Sequence, residues 1–262
     1  MNQESFSSGS VLQVQPQSAD FSKWVSLAHE EDLKFEVLEM VMAPALNESG
    51  RFQLLKKEYS SCGLVNSLHG AFIDINPASG DTEFRAISRK RCRESCELAK
   101  DIGAKHVVFH SSCLPFVRGQ YLDYWAGTCA EFYEELADTY DLKIMIENSQ
   151  DIDPDPIRNL MKRISDRRIG VCLDLGHANY SQVPVSEWLD SLGSRIRYMH
   201  LSDNTGHFDD HLPIGKGTID WSKVHRFWKR TGGKMPMTFE VGSLYGVRES
   251  LSYIRNHGFF GK

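Results

Sequence analysis

Short apolar runs alternate with amphipathic stretches along this chain, and the alternation repeats eight times. The strand-like runs are 11–15 (VLQVQ), 34–40 (KFEVLEM), 64–69 (LVNSLH), 106–110 (HVVFH), 142–147 (LKIMIE), 168–174 (RIGVCLD), 195–201 (RIRYMHL) and 237–241 (MTFEV). Helical periodicity fills the intervals near 20–32, 50–60, 83–102, 121–139, from Pro154 or Pro156 onward, then 184–192, 221–231 and 245–256. A short apolar run bounded by a loop and a 3.6-residue pattern is the signature of a strand–helix unit. Gly103 stands where the third helix needs a C-cap, Asp220 can N-cap the helix at 221, and proline suits a first helical turn. Eight such units predict an α/β fold, a (β/α)8 TIM barrel, as a single domain over 11–262 behind a polar, flexible segment 1–10. VLQVQ is the weakest strand and reads equally well as an edge segment.

A chain of 262 residues with 41% hydrophobic and 11% aromatic content can bury the core of one such domain. No run of about 18 apolar residues is present, so a membrane span is not expected. The opening MNQESFSSGS lacks the basic and apolar regions of a secretory signal, and a cytoplasmic protein is expected. The six cysteines contain no C-x-x-C pair and are expected as reduced thiols. A formal net charge of −5 gives no global attraction for a polyanion such as DNA, although a local basic face could still provide one.

Six of the eight runs end on a residue able to bind a metal: His69, His110, Glu147, Asp174, His200 and Glu240. In a barrel the C-terminal strand ends meet on one face, so these residues would converge. With 35 acidic residues and 10 histidines in the chain, the strand-end pattern is suggestive but needs local spacing to support it. C-L-D-L-G-H (172–177) puts a carboxylate and an imidazole, Asp174 and His177, three residues apart at a strand mouth, with Gly176 free to let the backbone turn. The competing reading is an aspartate capping the next helix with an exposed histidine beside it. The loop after His200 holds Asp203, His207, Asp209, Asp210 and His211 before the turn formers Pro213, Gly215 and Gly217. That density points to a metal or substrate loop. Asp209 and His211 form a D-x-H pair, with Asp210 as its adjacent rival.

Glu147 and Glu240 each end an apolar run, where a carboxylate is costly to bury unless it is paired or metal-bound. Facing each other across a barrel mouth, they could hold a divalent cation and exchange protons with a substrate. The plainer alternative is a salt-bridged rim carboxylate, with Arg118, Lys216 or Arg248 as partner. Glu39 has a similar placement. His69 and His110 singly would read as structural, as would His29, His106, His225 and His257. The basic run at 85–93 is expected on a solvated helix face, with Arg85 and Arg89 near enough to the helix start to meet an anionic substrate.

From about residue 60 the chain resembles the xylose-isomerase-like superfamily of TIM barrels, which includes sugar isomerases and epimerases and the endonuclease IV class of abasic-site nucleases. The likeness is carried by H-G-A-F-I-D-I-N-P-A-S, E-L-A-K-D-I-G-A-K-H-V-V-F-H, I-E-N, C-L-D-L-G-H, H-L-S-D-N, D-D-H-L-P-I-G-K-G-T-I-D and F-E-V. In the isomerase and epimerase branch, the resemblance implies that Glu147, Asp174, His200 and Glu240 bind one divalent ion (manganese, cobalt or zinc). Glu147 and Glu240 would then transfer protons through a metal-stabilised enediolate, and His177 would assist at a substrate hydroxyl. Arg85, Arg118 and Lys216 are the candidates for substrate binding. The nuclease branch implies up to three zinc ions: His69, His110 and Glu147 at one, Glu147 with Asp174, His200 and Glu240 at a second, and His177, Asp209 and His211 at a third.

The negative charge and the absence of a strongly basic loop at the strand mouths favour a small sugar or sugar phosphate over nucleic acid. One departure stands against this: Gly206 occupies a position where some epimerases carry arginine. A non-catalytic barrel binding a sugar or a partner protein is the third reading. A homo-oligomer is compatible with the chain; its sequence fixes neither the sugar nor the metal.

Overall fold

A computed structural model describes residues 11–262, so the segment expected to be flexible, 1–10, lies outside the described residues. Eight parallel strands close into a barrel in chain order: β1 (Leu12–Val14), β2 (Lys34–Val37), β3 (Val65–His69), β4 (His106–His110), β5 (Lys143–Glu147), β6 (Ile169–Asp174), β7 (Ile196–Leu201) and β8 (Met237–Phe239). The segment read as either a strand or an edge is a full member of the barrel. Although it has only three residues, β1 pairs with both β2 and β8 and closes the sheet. Closure removes both sheet edges, which is the barrel's solution to unpaired strand backbone.

Among the described residues, ten α-helices surround the sheet: α1 (Phe21–Glu31), α2 (Ala43–Asn47), α3 (Arg51–Cys62), α4 (Thr82–Ile102), α5 (Gln120–Tyr140), α6 (Asp155–Arg163), α7 (Leu175–Tyr180), α8 (Val185–Leu192), α9 (Trp221–Arg230) and α10 (Leu244–Asn256). The short α2 and α7 were not anticipated, because five or six residues show too little periodicity. The expected stops are present: Gly103 ends α4 with φ 80°, and the Asp220 side chain accepts from Lys223 N at the start of α9. The main apolar core lies between strands and helices, where Leu68, Ile146 and Leu173 are buried in one cluster with Phe132, Leu136 and Trp188. All six cysteines are free.

The barrel interior is less apolar than its jacket. Val108, Met145, Cys172 and Tyr198 form a small separate cluster inside. Buried Gln13, Glu36, Ser67 and Thr238 accompany them. Gln13 Nε2 donates to Tyr198 Oη (2.6 Å), Ser67 Oγ donates to Gln13 Oε1 (2.8 Å), and Tyr198 Oη donates to Glu36. Strand register aligns the site above this layer: His110 pairs with Glu147, and Asp174 pairs with His200.

Candidate metal centre at the barrel mouth

Six of the eight strands deliver a side chain from their C-terminal end to the same place. Glu147, Asp174, His200 and Glu240 are buried, and one ligand atom from each lies within 4.8 Å of the others. His69, His110 and Glu147 form a second such group. Glu147 therefore belongs to both groups, and its two oxygens divide between them. Oε1 lies 3.1 Å from His200 Nδ1, while Oε2 lies 3.2 Å from His69 Nε2 and 3.5 Å from His110 Nε2. The D-x-H loop completes a third set: Asp209 Oδ2 sits 3.2 Å from His177 Nε2 and 2.9 Å from His211 Nε2. All nine residues singled out as ligands thus meet at one end of the barrel.

The imidazoles are held ready for a ligand by their far nitrogens. His69 Nδ1 donates to the Gly70 carbonyl (3.0 Å), His177 Nδ1 to Asn148 O (2.7 Å) and His211 Nδ1 to Glu240 O (2.7 Å). A carbonyl can only accept, so each Nδ1 carries a proton and each Nε2 is directed inward. His200 is reversed: Nε2 faces Glu36 Oε1 at 3.1 Å, and Nδ1 faces the carboxylates of Glu147, Glu240 (3.3 Å) and Asp174 (3.7 Å). A carboxylate behind a ligating histidine fixes its tautomer and raises its basicity.

Two buried carboxylate oxygens of the site, Glu147 Oε2 and Asp174 Oδ2, have no hydrogen-bond donor among the described residues. An unpartnered buried carboxylate oxygen costs several kcal/mol, on the order of the desolvation penalty of a charged group. Orphaned oxygens surrounded by imidazole nitrogens suit a borderline divalent cation such as Zn²⁺, Mn²⁺ or Co²⁺.

Charge balance points the same way. Burial pushes the Glu147 carboxyl up, but the His200 and His110 rings outweigh it and hold it well below the usual carboxylate range. Burial, only partly offset by His200 and reinforced by the Glu147 and Asp174 carboxylates, raises Glu240 to about 7. Burial opposes a proton on His200, yet Cys172, Glu240 and Glu36 raise its pKa well above normal. The hydrogen bond to Asp209 raises His211 to about 9. His110 behaves oppositely: burial lowers it to about 4 despite Glu147. The imidazolium protons supply positive charge that the clustered carboxylates require, and a cation would displace them.

The competing reading of C-L-D-L-G-H is half realised. Asp174 Oδ1 does cap α7, accepting from His177 N at 2.6 Å, but Oδ2 remains directed into the site and His177 is largely buried. Gly176 does not provide the expected turn. It is helical, and a Cβ there would come within 2.6 Å of Ser202 Oγ, so the glycine permits close approach of the chain after β7. Within the loop, Asp203 is a structural hub, accepting from Gly215 N (3.0 Å), Ile219 N (3.2 Å) and Trp221 Nε1 (2.8 Å). Asp210 accepts from Thr205 instead of joining the D-x-H pair.

The salt-bridge alternative for the glutamates is not realised. Arg118 pairs with Asp153 (3.1 Å), Lys216 with Glu249 (3.3 Å) and Arg248 with Glu30 (2.7 Å), all away from the two carboxylates. Arg85 donates to Ser79 O (2.9 Å) and Tyr124 Oη (2.7 Å). Glu39 also lies apart, in a 3-10 turn after β2, where Tyr59 Oη donates to it (2.7 Å).

Three contributors were missed. Glu36 backs His200 from the middle of β2, Gln15 Nε2 donates to Glu240 Oε1 (2.5 Å), and Asn148 brackets the Asp174 backbone through Nδ2 (3.0 Å) and Oδ1 (2.8 Å). For Glu36 a signal was available: a carboxylate inside a four-residue strand faces either the barrel interior or the helices, and both are costly unless it has partners.

A closed parallel barrel with imidazoles and carboxylates converging at its C-terminal mouth defines a class of (β/α)8 protein whose mouth could hold a metal ion. The chain belongs to the xylose isomerase-like TIM barrels, whose family model matches residues 27–257. It is 32% identical over 177 residues to Uncharacterized protein MJ1311 of Methanocaldococcus jannaschii, covering 63% of this chain and 60% of that relative's length. Over 201 residues it is 28% identical to a Probable endonuclease 4 of Mycobacterium leprae, covering 72% of this chain and 77% of the relative. Among solved structures, a D-tagatose 3-epimerase-like protein superposes with a TM-score of 0.78 at 22% identity, covering 94% of this chain and 96% of the other; that likeness is one of fold. Of these sequence relatives, the one from Mycobacterium leprae carries an enzyme name.

Proposed function

We propose that the chain is a divalent-metal-dependent isomerase or epimerase of a small sugar or sugar phosphate. The observation that carries the reading is the buried group of Glu147, Asp174, His200 and Glu240, in which three carboxylates and one imidazole gather around one ligand position. A divalent cation held there would acidify a C–H bond next to a carbonyl by drawing charge onto adjacent substrate oxygens. The chain's own groups then do the rest. Glu147, held as an anion, would accept the proton from that carbon, and Glu240, raised to about 7, would return one from the other side. His177 presents Nε2 toward the mouth, where it can bond a substrate hydroxyl.

A hollow of 280 Å³ beside His110, lined also by Phe72, Asn76 and Ser112, lies just under the size range of small-molecule pockets, which suits a ligand of a few carbons. Arg118 and Lys216 already have carboxylate partners, leaving Arg85 as the better placed of the three proposed substrate cations. The same pairing speaks against a polyanionic substrate, which binds by releasing counterions from unneutralised lysine and arginine.

One observation favours a second reading, phosphodiester hydrolysis of the endonuclease 4 kind. Glu147 directs one oxygen to each of two ligand groups, and His177, Asp209 and His211 form a third. A carboxylate with both oxygens engaged cannot accept a proton, so the number of cations bound decides the chemistry. Purified protein assayed with a panel of ketoses, aldoses and their phosphates, alongside an abasic-site duplex, separates the readings. Sugar conversion with about one ion per chain supports the first. Duplex nicking with about three ions and no sugar conversion refutes it in favour of the second. Absence of both activities in metal-loaded protein would leave a binding barrel and sink both.

A further inference from the structure

The opposite end of the barrel carries a feature that the metal chemistry does not use. A cavity of 750 Å³ opens at the N-terminal ends of the strands, and six cationic side chains line it: Lys143, Arg167, Arg168, Arg197, Arg230 and Lys234. Asp190 is the one carboxylate in its wall. A neighbouring hollow of 510 Å³ shares Asp190 and Arg230 and adds Lys223, Arg226 and Lys229. This concentration of positive charge stands in a chain whose formal net charge is −5.

Internal pairing does not account for it. Arg168 is neutralised by Asp166 and Asp138, and Arg230 approaches Asp190 at 3.9 Å. Among the described residues, Lys143, Arg167, Arg197 and Lys234 have no carboxylate within salt-bridge distance. Helix dipoles explain only part of the rest. Lys229 and Arg230 close α9, where cations are favoured, but Lys143 opens β5 and Arg197 is the second residue of β7.

Arg197 is built into place. Its stem crosses β6 over Gly170, where a Cβ would meet Arg197 Cδ at 2.8 Å, and its guanidinium donates to the Arg167 carbonyl. Burial, with repulsion from Arg195 and Arg167, lowers the Arg197 pKa, and burial with Lys143 nearby lowers His106 to about 4. In both groups burial is the larger cause, and the neighbouring cations add to it. Leu189, Phe227 and Met235 supply an apolar wall to the cavity.

We infer that this cavity is a binding site for a small, multiply phosphorylated molecule, separate from the metal-ligand mouth. Arginine forks match phosphate oxygens bidentately, and a concave wall of mostly unneutralised cations concentrates such a ligand. A cavity of this volume fits a compact polyanion, whereas a nucleic-acid backbone would use an open track.

The probe is myo-inositol hexasulfate, whose sulfates mimic phosphate charge while chelating divalent metals weakly. Calorimetry at about 0.15 M salt is expected to give saturable binding of one molecule per chain. The triple variant Lys143→Ala/Arg167→Ala/Lys234→Ala should bind about tenfold or more weakly, with an unchanged or higher Tm because like charges have been separated. An Arg118→Ala/Lys216→Ala variant at the mouth should bind like the parent. Amine labelling of the parent provides a measurement free of substitutions: bound probe should protect Lys143 and Lys234 but not Lys216.

Non-saturating binding, retention of affinity by the triple variant, or protection of Lys216 instead would overturn the assignment. So would binding of a single-stranded oligonucleotide about tenfold tighter than the hexasulfate, which would make the patch a nucleic-acid track.

Discussion

Glu36 shows how much a site depends on residues that touch no substrate. It is fully buried; burial raises its carboxyl pKa, but His200 outweighs this and brings it to about 2, so it stands as an anion behind the His200 ring. Glu36→Gln keeps the shape and removes the charge. It is expected to lower divalent-metal affinity about 10- to 100-fold, measured by competition with a chromogenic chelator, while circular dichroism stays native. Unchanged affinity would mean that His200 needs no carboxylate behind it.

The proton-transfer pair makes a different prediction. Glu147→Gln and Glu240→Gln should each reduce turnover by about 100-fold or more in the metal-loaded protein without unfolding it. Glu36 escaped sequence reading because the strand-end rule pointed to Glu39, and β2 ends two residues earlier, at Val37. The convergence of the six strand-end side chains was legible because barrel topology converts strand ends into neighbours. Tautomers and back-side partners were not legible, since they depend on which side chain stands behind which ring.

At the scale of elements, the loops after β4, β5 and β7 hold the mouth in shape. Asp151 joins two of them: its carboxylate accepts from Ser111 Oγ (2.6 Å) after β4 and from Ser149 N (3.2 Å) after β5, while its other oxygen has no partner. Burial raises its pKa from 3.8 to about 6, with Ser111 only partly offsetting the effect. The folded state therefore binds more protons than the unfolded one between those values, and this group's contribution to stability falls as pH rises from about 4 to about 6. Asp151→Asn removes the buried charge and should raise Tm above pH 6, the gain being on the order of 2 kcal/mol, and have little effect near pH 4. A lower Tm at pH 7 would show that the ionised carboxylate is needed.

The loop after β7 is set by close packing. A Cβ on Gly217 would fall 2.2 Å from the Asn204 carbonyl oxygen and 2.3 Å from Asp203 Oδ1. Gly217→Ala should cost about 1–3 kcal/mol in chemical denaturation and displace Asp209 and His211. The loop was recognisable from its density of Asp, His and Gly. Sequence alone did not separate the hub Asp203 from the prospective ligand Asp209, because that distinction lies in hydrogen bonds across fifteen or so residues of chain.

For the molecule as a whole, the fold was legible almost throughout, including a β1 whose three residues had seemed equally suited to an edge. Eight alternating units determine a barrel even when one unit is faint, since closure requires every strand. The whole-molecule charge was less informative, because the net value of −5 conceals acidic clustering at one barrel end and basic clustering at the other. The acidic end should govern pH response.

In metal-free protein, His177, His200 and His211 have folded pKa values raised above their ordinary value, that of His211 to about 9. Their stabilising contribution is complete below about 6.5 and is lost as pH rises through the raised values, for His211 through about 9. Tm of the metal-free protein should therefore fall across that window, whereas added Zn²⁺ or Mn²⁺ should stabilise more as pH rises and proton competition fades. Parallel pH profiles with and without metal would contradict this.

Elemental analysis of the parent protein, purified without chelators and re-equilibrated with substoichiometric to excess Mn²⁺, Co²⁺ and Zn²⁺, bears most directly on a cation at the barrel mouth. At least about one tightly held divalent ion per chain is expected, lost in an Asp174→Ala/Glu240→Ala variant that remains folded. A parent protein that retains none of these ions at any loading, or a folded variant that retains them all, would contradict it.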